Sequence, residues 1–387
     1  MGSALVVPPE LLKQLRLFDQ SGPQSAPNLH RRPTDRNGPD EAWLRLRASG
    51  LLRWGIPEAW GGCDVAAPAM LASYLELARV DLTTTFVLTQ RNAACQRLAA
   101  SPNRALQERL LPRLARDEIF ATVGISHLTT SRQHLATAAV TARPCEGGFE
   151  LEGEIPWVTG GARADVLITG GTLAGGEQLL AAVETRQTGV EVAPAVDLLA
   201  LEGSSTGPVR LHRVKVAHSD LVHEPTPQVL KQGANLTAGS LSTSALAIGH
   251  AWGAIDDLVV EARARPELGE FVEPLQAEAE GLREQLLAAT RPESCGGVGN
   301  VNERLRIQAN SLVLRATQVL LAATKGAGYV AGHRAGRLAR EALFFLVWSC
   351  PQPVVMANLR ELTRRESTQG ESTRGAGDAD PRDRPAV

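Results

Sequence analysis

Apolar and polar positions change rhythm twice along this chain. From about residue 40 to 118, apolar residues recur at three- and four-residue spacing, as in LASYLELARV and ALQERLLPRLARDE, which predicts helices. From about 119 to 225 the rhythm becomes that of strands. In FELEGEIPWVTG, Phe149, Leu151, Ile155 and Trp157 alternate with Glu150, Glu152 and Glu154, the pattern of a half-buried strand. ADVLITGG, QLLAAVET, GVEVAPAV and PVRLHRVKVA continue it, with Gly-rich turns between. After about 235 the helical period returns: Leu241, Ala245, Ile248, Trp252, Ile255 and Val259 form one apolar stripe. Further helices are predicted over 301–324 and 335–348.

This order predicts an α+β chain with a helical domain over 1–118, a β domain over 119–225 and a helical bundle over 226–363. Segments 18–40 and 364–387 are rich in Pro, Ser, Asp and Arg and poor in apolar residues, so both are expected to be loose, the second as a disordered tail. No internal repeat is present.

Composition narrows the function classes. With 387 residues, 43% of them hydrophobic, the chain can bury a large core. Its 40 Lys and Arg against 42 Asp and Glu argue against a phosphate-backbone binder, so no nucleic-acid partner is expected. No apolar run reaches the roughly 20 residues of a membrane-spanning helix, and the start MGSALVVPPELLKQ makes a poor export signal. Cys63, Cys95, Cys145, Cys295 and Cys350 are scattered and form no CxxC pair, which removes an obvious metal motif and fits reduced thiols in a cytoplasm.

Candidate chemistry begins at Trp157 and Thr159, two apart on a strand pattern and therefore expected on one face. An indole wall beside a hydroxyl suits a flat aromatic ring with hydrogen-bonding nitrogens. The hydroxyls of SHLTTSR (Ser126–Arg132) can donate to phosphate or carbonyl oxygens, whereas His127 there is expected to be a packed loop histidine. GGVGN at Gly296–Asn300 is no dinucleotide fingerprint, because no strand precedes it.

Several segments, in order, resemble the acyl-CoA dehydrogenase superfamily. They are GIPEAWGG (Gly55–Gly62), GEIPWVTGGARAD (Gly153–Asp165), LHRVKVA (Leu211–Ala217), ALAIGHAWGAIDD (Ala245–Asp257), ARPELGEFVEPLQ (Ala264–Gln276) and KGAGYVAGHRAGRLARE (Lys325–Glu341). The resemblance spans roughly residues 40–363. It implies an N-terminal helical domain, a middle β-barrel or sandwich and a C-terminal four-helix bundle, with FAD as cofactor. By the same resemblance, Trp157 packs on the flavin ring and Thr159 bonds near its N5. Ser126, Thr129 and Thr130 fall on the flavin loop, although Thr129 and Ser131 replace that loop's Gly and Asp. Arg265 aligns with the arginine that reaches the pyrophosphate of a neighbouring subunit's FAD, with Gln276 on the same segment. A guanidinium fork suits two phosphate oxygens. Gly326 and Gly328 would admit the dinucleotide, although Ala322 stands where many members place Gln.

The family's dehydrogenases remove an α-proton with a Glu. Counting on from Arg340 to its usual position reaches Ser349, and the alternative position, before the flavin arginine, carries Gly239 and Ser240. An unassisted hydroxyl is a poor base at neutral pH, though the Ser349 backbone N–H could polarise a carbonyl. Glu341 aligns with a structural acid. Cys350 has nothing nearby in the sequence that would activate it.

Three functions follow as expectations. The first is an FAD-dependent, dehydrogenase-like oxidoreductase acting on CH–CH bonds of an acyl thioester through an unidentified base. Another is a flavin-dependent monooxygenase of the same fold, using reduced flavin and oxygen on an apolar substrate. The third is a non-catalytic scaffold. The resemblance also implies a homodimer or homotetramer, with an electron-transfer flavoprotein or a flavin reductase as redox partner.

Overall fold

The computed structural model describes residues 7–20, 41–128, 138–231, 237–290, 298–348 and 350–363. The first helices are α1 (Pro9–Gln20), α2 (Glu41–Ala48), α3 (Ala67–Val80), α4 (Leu82–Ala99) and α5 (Arg104–Ala115). Eight strands follow: β1 (Ala121–Gly124), β2 (Val140–Cys145), β3 (Gly148–Val158), β4 (Val166–Thr172), β5 (Gln178–Glu184), β6 (Val190–Val192), β7 (Gly207–Ala217) and β8 (Leu221–Thr226). The C-terminal part holds α6 (Thr237–Ala264), α7 (Gly269–Ala288), α8 (Val298–Ala323), α9 (Lys325–Gly328), α10 (Arg334–Ala342), α11 (Phe344–Val347) and α12 (Gln352–Leu362).

The first and last thirds share one core, which α3 and α6 build face to face. Small residues make that contact close. A Cβ on Gly249 would lie 2.2 Å from the Leu75 carbonyl oxygen, and one on Gly253 would lie 2.5 Å from that of Arg79. The ALAIGHAWG segment therefore carries its glycines for helix packing. Charge ties the same elements at the rim. Arg79 grips Asp256 with two hydrogen bonds (2.7 and 2.6 Å), Arg16 of α1 reaches the same carboxylate (3.0 Å), and Arg334 of α10 holds Asp257 (2.7 Å).

The strands run in the order β6-β7-β3-β2-β4-β5-β8, with β1 pairing parallel to β4. Most pairings are antiparallel. On β4 and β5, Leu167, Leu179, Ala181 and Val183 point into the interior of the β domain. Their neighbours Val166, Ile168, Leu180 and Ala182 pack towards α4 and α5. Burial on both faces explains the continuous apolar runs of these strands.

The helix–strand–helix order agrees with the expected fold class, and the differences have physical reasons. The segment preceding residue 40 contributes α1, where Val7, Leu11 and Leu15 are buried at four-residue spacing. Helix α4 lacks a one-sided stripe because it is enclosed: Phe86, Leu88, Asn92, Cys95 and Leu98 are all buried, and so is Arg91. Helices α7 and α12 had no counterpart among the predicted helices, and α7 carries Pro274 within it. The stretch 335–348 divides at Leu343 into α10 and α11. The tail, 364–387, lies outside the described residues.

Candidate functional site

The expected common face of Trp157 and Thr159 is not kept. Trp157 is 41% exposed and Thr159 only 1%. The β3–β7 register slips between Ile155 and Val158, and β3 ends before Thr159, so the two-residue period fails there. Trp157 makes no aromatic or cation–π contact among the described residues, leaving an indole face available on a strand end.

Thr159 instead heads a buried chain of hydroxyls. Its Oγ1 lies 3.1 Å from that of Thr206, which lies 2.8 Å from the Ser204 Oγ. Thr122 donates to the Thr159 carbonyl (2.7 Å), and the Gly160 N–H donates to that of Ser204 (2.9 Å). The hydroxyl groups carry one proton more than the links between them consume. The surplus O–H falls on one of the three hydroxyls, and none of Thr159, Thr206 and Ser204 has a further side-chain partner among the described residues. A buried O–H without an acceptor costs about 1–3 kcal/mol. The chain is therefore suited to donate to an incoming acceptor, which must part the residues packed over Thr159. These features, a free indole face and a hydrogen-bond donor, fit a flat ring bearing acceptor nitrogens.

Beside this chain lies a cavity of about 160 Å³ lined by Trp43, Asp81, Thr83, Thr84, Val87 and Gly203. Gly203 adjoins Ser204, and Arg163 lies over the Trp43 ring at 5.2 Å. Asp81 is the acid of the lining, but its oxygens are engaged in capping α4: it accepts from the Thr84 N–H (3.0 Å) and hydroxyl (2.6 Å).

Thr206 and Ser204, on the turn entering β7, were missed from the sequence. Their only sequence signal is the SST run before PVRLHRVKVA.

Other titratable groups are also buried deeply. Burial pushes the Glu341 carboxyl up to about 7, with Arg337 opposing and Asp81 reinforcing that shift. His250, 3.7 Å from Glu341, is pushed down to about 4 by burial and bonds the Leu338 carbonyl (3.0 Å). His127 is also pushed down to about 4 by burial, and its Nε2 bonds the Gly170 carbonyl (3.0 Å), as a packed loop histidine should.

The remaining candidates are dispersed. Ser126 is half-buried, while Thr129, Thr130 and Ser349 lie outside the described residues. Arg265 follows α6 and pairs with Glu261; Gln276 is half-buried on α7. A Cβ on Gly328 would meet the Thr324 hydroxyl at 2.0 Å, so packing within this chain already requires that glycine, whereas Gly326 faces open space. No hydrogen bond or ion pair among the described residues joins Arg265, Gln276 or this turn to the β3 end. Arg306 and Asn310 of α8 hold the carbonyls of Trp348, just after α11 (3.0 Å), and of Phe345 within it (2.9 Å).

Comparison with known proteins bears on these features. A sequence model described as "Acyl-CoA dehydrogenase, N-terminal domain" matches residues 23–118. A probable acyl-CoA dehydrogenase (FadE25) of Mycobacterium leprae (strain TN) is 23% identical over 320 residues, 79% of this chain and 82% of that protein. The glutaryl-coenzyme A dehydrogenase glutaryl-CoA complex superposes with a TM-score of 0.74 at 20% identity, covering 91% of this chain and 94% of the other. Residues 23–118 are thus similar to that family's N-terminal domain, and the chain has the acyl-CoA dehydrogenase fold. Proteins with other chemistry match comparably well. A dibenzothiophene monooxygenase of Mycolicibacterium goodii is 27% identical over 324 residues, 75% of this chain and 77% of that enzyme. The dibenzothiophene monooxygenase TdsC from Paenibacillus sp. A11-2 superposes with a TM-score of 0.73 at 19% identity, covering 91% and 94% of the two chains.

No helix among the described residues is long and apolar enough to cross a membrane, and no group of three His, Cys, Asp or Glu among them could hold a metal ion.

Proposed function

We propose that this protein is a flavin-dependent oxidoreductase of the acyl-CoA dehydrogenase type, with FAD as the flavin and a small acyl thioester as substrate. The observation that carries the reading is the exposed Trp157 indole at the end of β3, two residues before the buried Thr159–Thr206–Ser204 chain with its surplus donor. Trp157 would pack on the ring, Thr159 would donate to a ring nitrogen, and Arg265 would serve the phosphates of a neighbouring copy's cofactor. Bound flavin supplies a hydride acceptor for the substrate β-carbon. Val87 and Trp43 give the adjoining cavity an apolar wall, and at about 160 Å³ it favours a short acyl group. A homodimer or homotetramer is supported by an apolar groove of about 390 Å³ between α7 and α8, where Phe271 is 46% exposed. An electron-transfer flavoprotein would reoxidise such an enzyme, which we place in the cytoplasm.

Trp157→Ala is expected to weaken FAD binding by about tenfold or more, the scale of one lost aromatic stack. Titration of purified wild type and variant with FAD, followed by fluorescence, measures this. Equal affinities would remove Trp157 from the site.

A second reading, a monooxygenase using reduced flavin from a reductase, is favoured by the Ser at position 349 and by the monooxygenase relatives. Ser349→Glu separates the two. On the first reading the variant gains exchange of acyl-CoA α-protons with deuterated water, seen by mass spectrometry. Absence of exchange across all chain lengths favours the second.

A further inference from the structure

Arg306 is 6% exposed and forms no ion pair with a carboxylate among the described residues. Its Nη2 donates to the Trp348 carbonyl and reaches the Cys350 sulfur at 4.0 Å, while its Nε has no partner. One turn along α8, the Asn310 Oδ1 is likewise buried and unpartnered. Cys350 is partly exposed, and its thiol donates to the Phe345 carbonyl at 3.2 Å.

A buried guanidinium without a counter-anion is unfavourable. Of the groups hydrogen-bonded to Arg306, one is a carbonyl and the other is the Cys350 sulfur, which alone can become an anion. Partly exposed sulfur beside a cation is the environment in which cysteines react. The other described thiols differ. Cys95 is fully buried, while Cys63 and Cys145 are partly exposed but have no hydrogen-bonded Arg or Lys among the described residues.

We propose that Cys350 is a site of oxidative modification, where a peroxide converts the thiol to a sulfenic acid whose anion Arg306 holds. The sulfur attacks one peroxide oxygen, and the S–O bond forms as the O–O bond breaks. Sulfur gives up two electrons, the peroxide gains them, and the thiol proton leaves with the departing oxygen as water, or as an alcohol from an alkyl peroxide. The product no longer donates to Phe345 as an S–H, so the turn between α11 and α12 loses one of its ties. This chemistry needs no flavin and goes beyond the proposed oxidoreductase reading.

The test treats the full chain with stoichiometric hydrogen peroxide, traps sulfenic acid with a 1,3-diketone and maps labelled peptides by mass spectrometry. Trapping at Cys350 is expected at several times the level of Cys63 or Cys145, because Arg306 lies beside the oxidised sulfur only there. Arg306→Lys should keep that preference, and Arg306→Gln should bring Cys350 down to the level of Cys145. Equal trapping of the three thiols in the wild type overturns the proposal. So does an unchanged preference in a folded Arg306→Gln variant. Should that variant not fold, the wild-type comparison decides alone.

Discussion

Gly249→Val is expected to cost about 3 kcal/mol or more, enough to leave little folded protein. The new Cβ would lie 2.2 Å from the Leu75 backbone oxygen, which no side-chain rotation relieves, so α3 and α6 would have to separate across the largest core of the molecule. Gly281→Ala in α7 is the control. Open space surrounds that position, and the exchange should add about 0.5–1 kcal/mol by favouring the helix. Urea unfolding of both variants checks the contrast; a Gly249→Val protein as stable as wild type would show that α3 and α6 do not meet there.

A second large effect concerns pH. Burial raises the Glu341 carboxyl to about 7, so the folded chain holds a proton that the unfolded chain releases near 4.5. A raised carboxyl binds protons more tightly when folded, so its contribution is most favourable below pH 4.5 and is lost as pH rises through 7. At about 1.4 kcal/mol per unit, the loss by pH 8 is about 3 kcal/mol. Asp257, raised to about 6 by burial, acts in the same direction, whereas His250, lowered to about 4, acts in the opposite one. The wild type–variant difference isolates Glu341. Glu341→Gln should be more stable than wild type at pH 8, with the advantage fading below pH 5. A difference independent of pH would mean that Glu341 is ionised in the folded chain.

How much of this could be read from the sequence depends on what kind of signal each part leaves. Amphipathic α3 and α5 and alternating β3 announce themselves because one face is less buried than the other. Enclosed α4 leaves no such stripe, and α7 was obscured by Pro274. The motifs singled out Trp157 and Thr159 as candidates but misjudged their relation, because a slip of register between two strands is set by the partner strand and leaves no mark on β3 itself. Thr206 and Ser204 join Thr159 only after β7 has folded back beside β3. Likewise Arg306 and Cys350, far apart in sequence, become neighbours through the path of the chain around α8.

Helix α4 has a further consequence. Its first half, Leu82 to Leu88, is embedded among the helices, and its second half, Ala94 to Leu98, in the packing beneath the strands. A single rod of 18 residues thus belongs to two interiors at once. Melting either interior strips one end of the rod, and a helix half deprived of its packing is too short to persist alone. The helical and β regions are thereby locked into one cooperative unfolding unit, although their sequences look like separate domains.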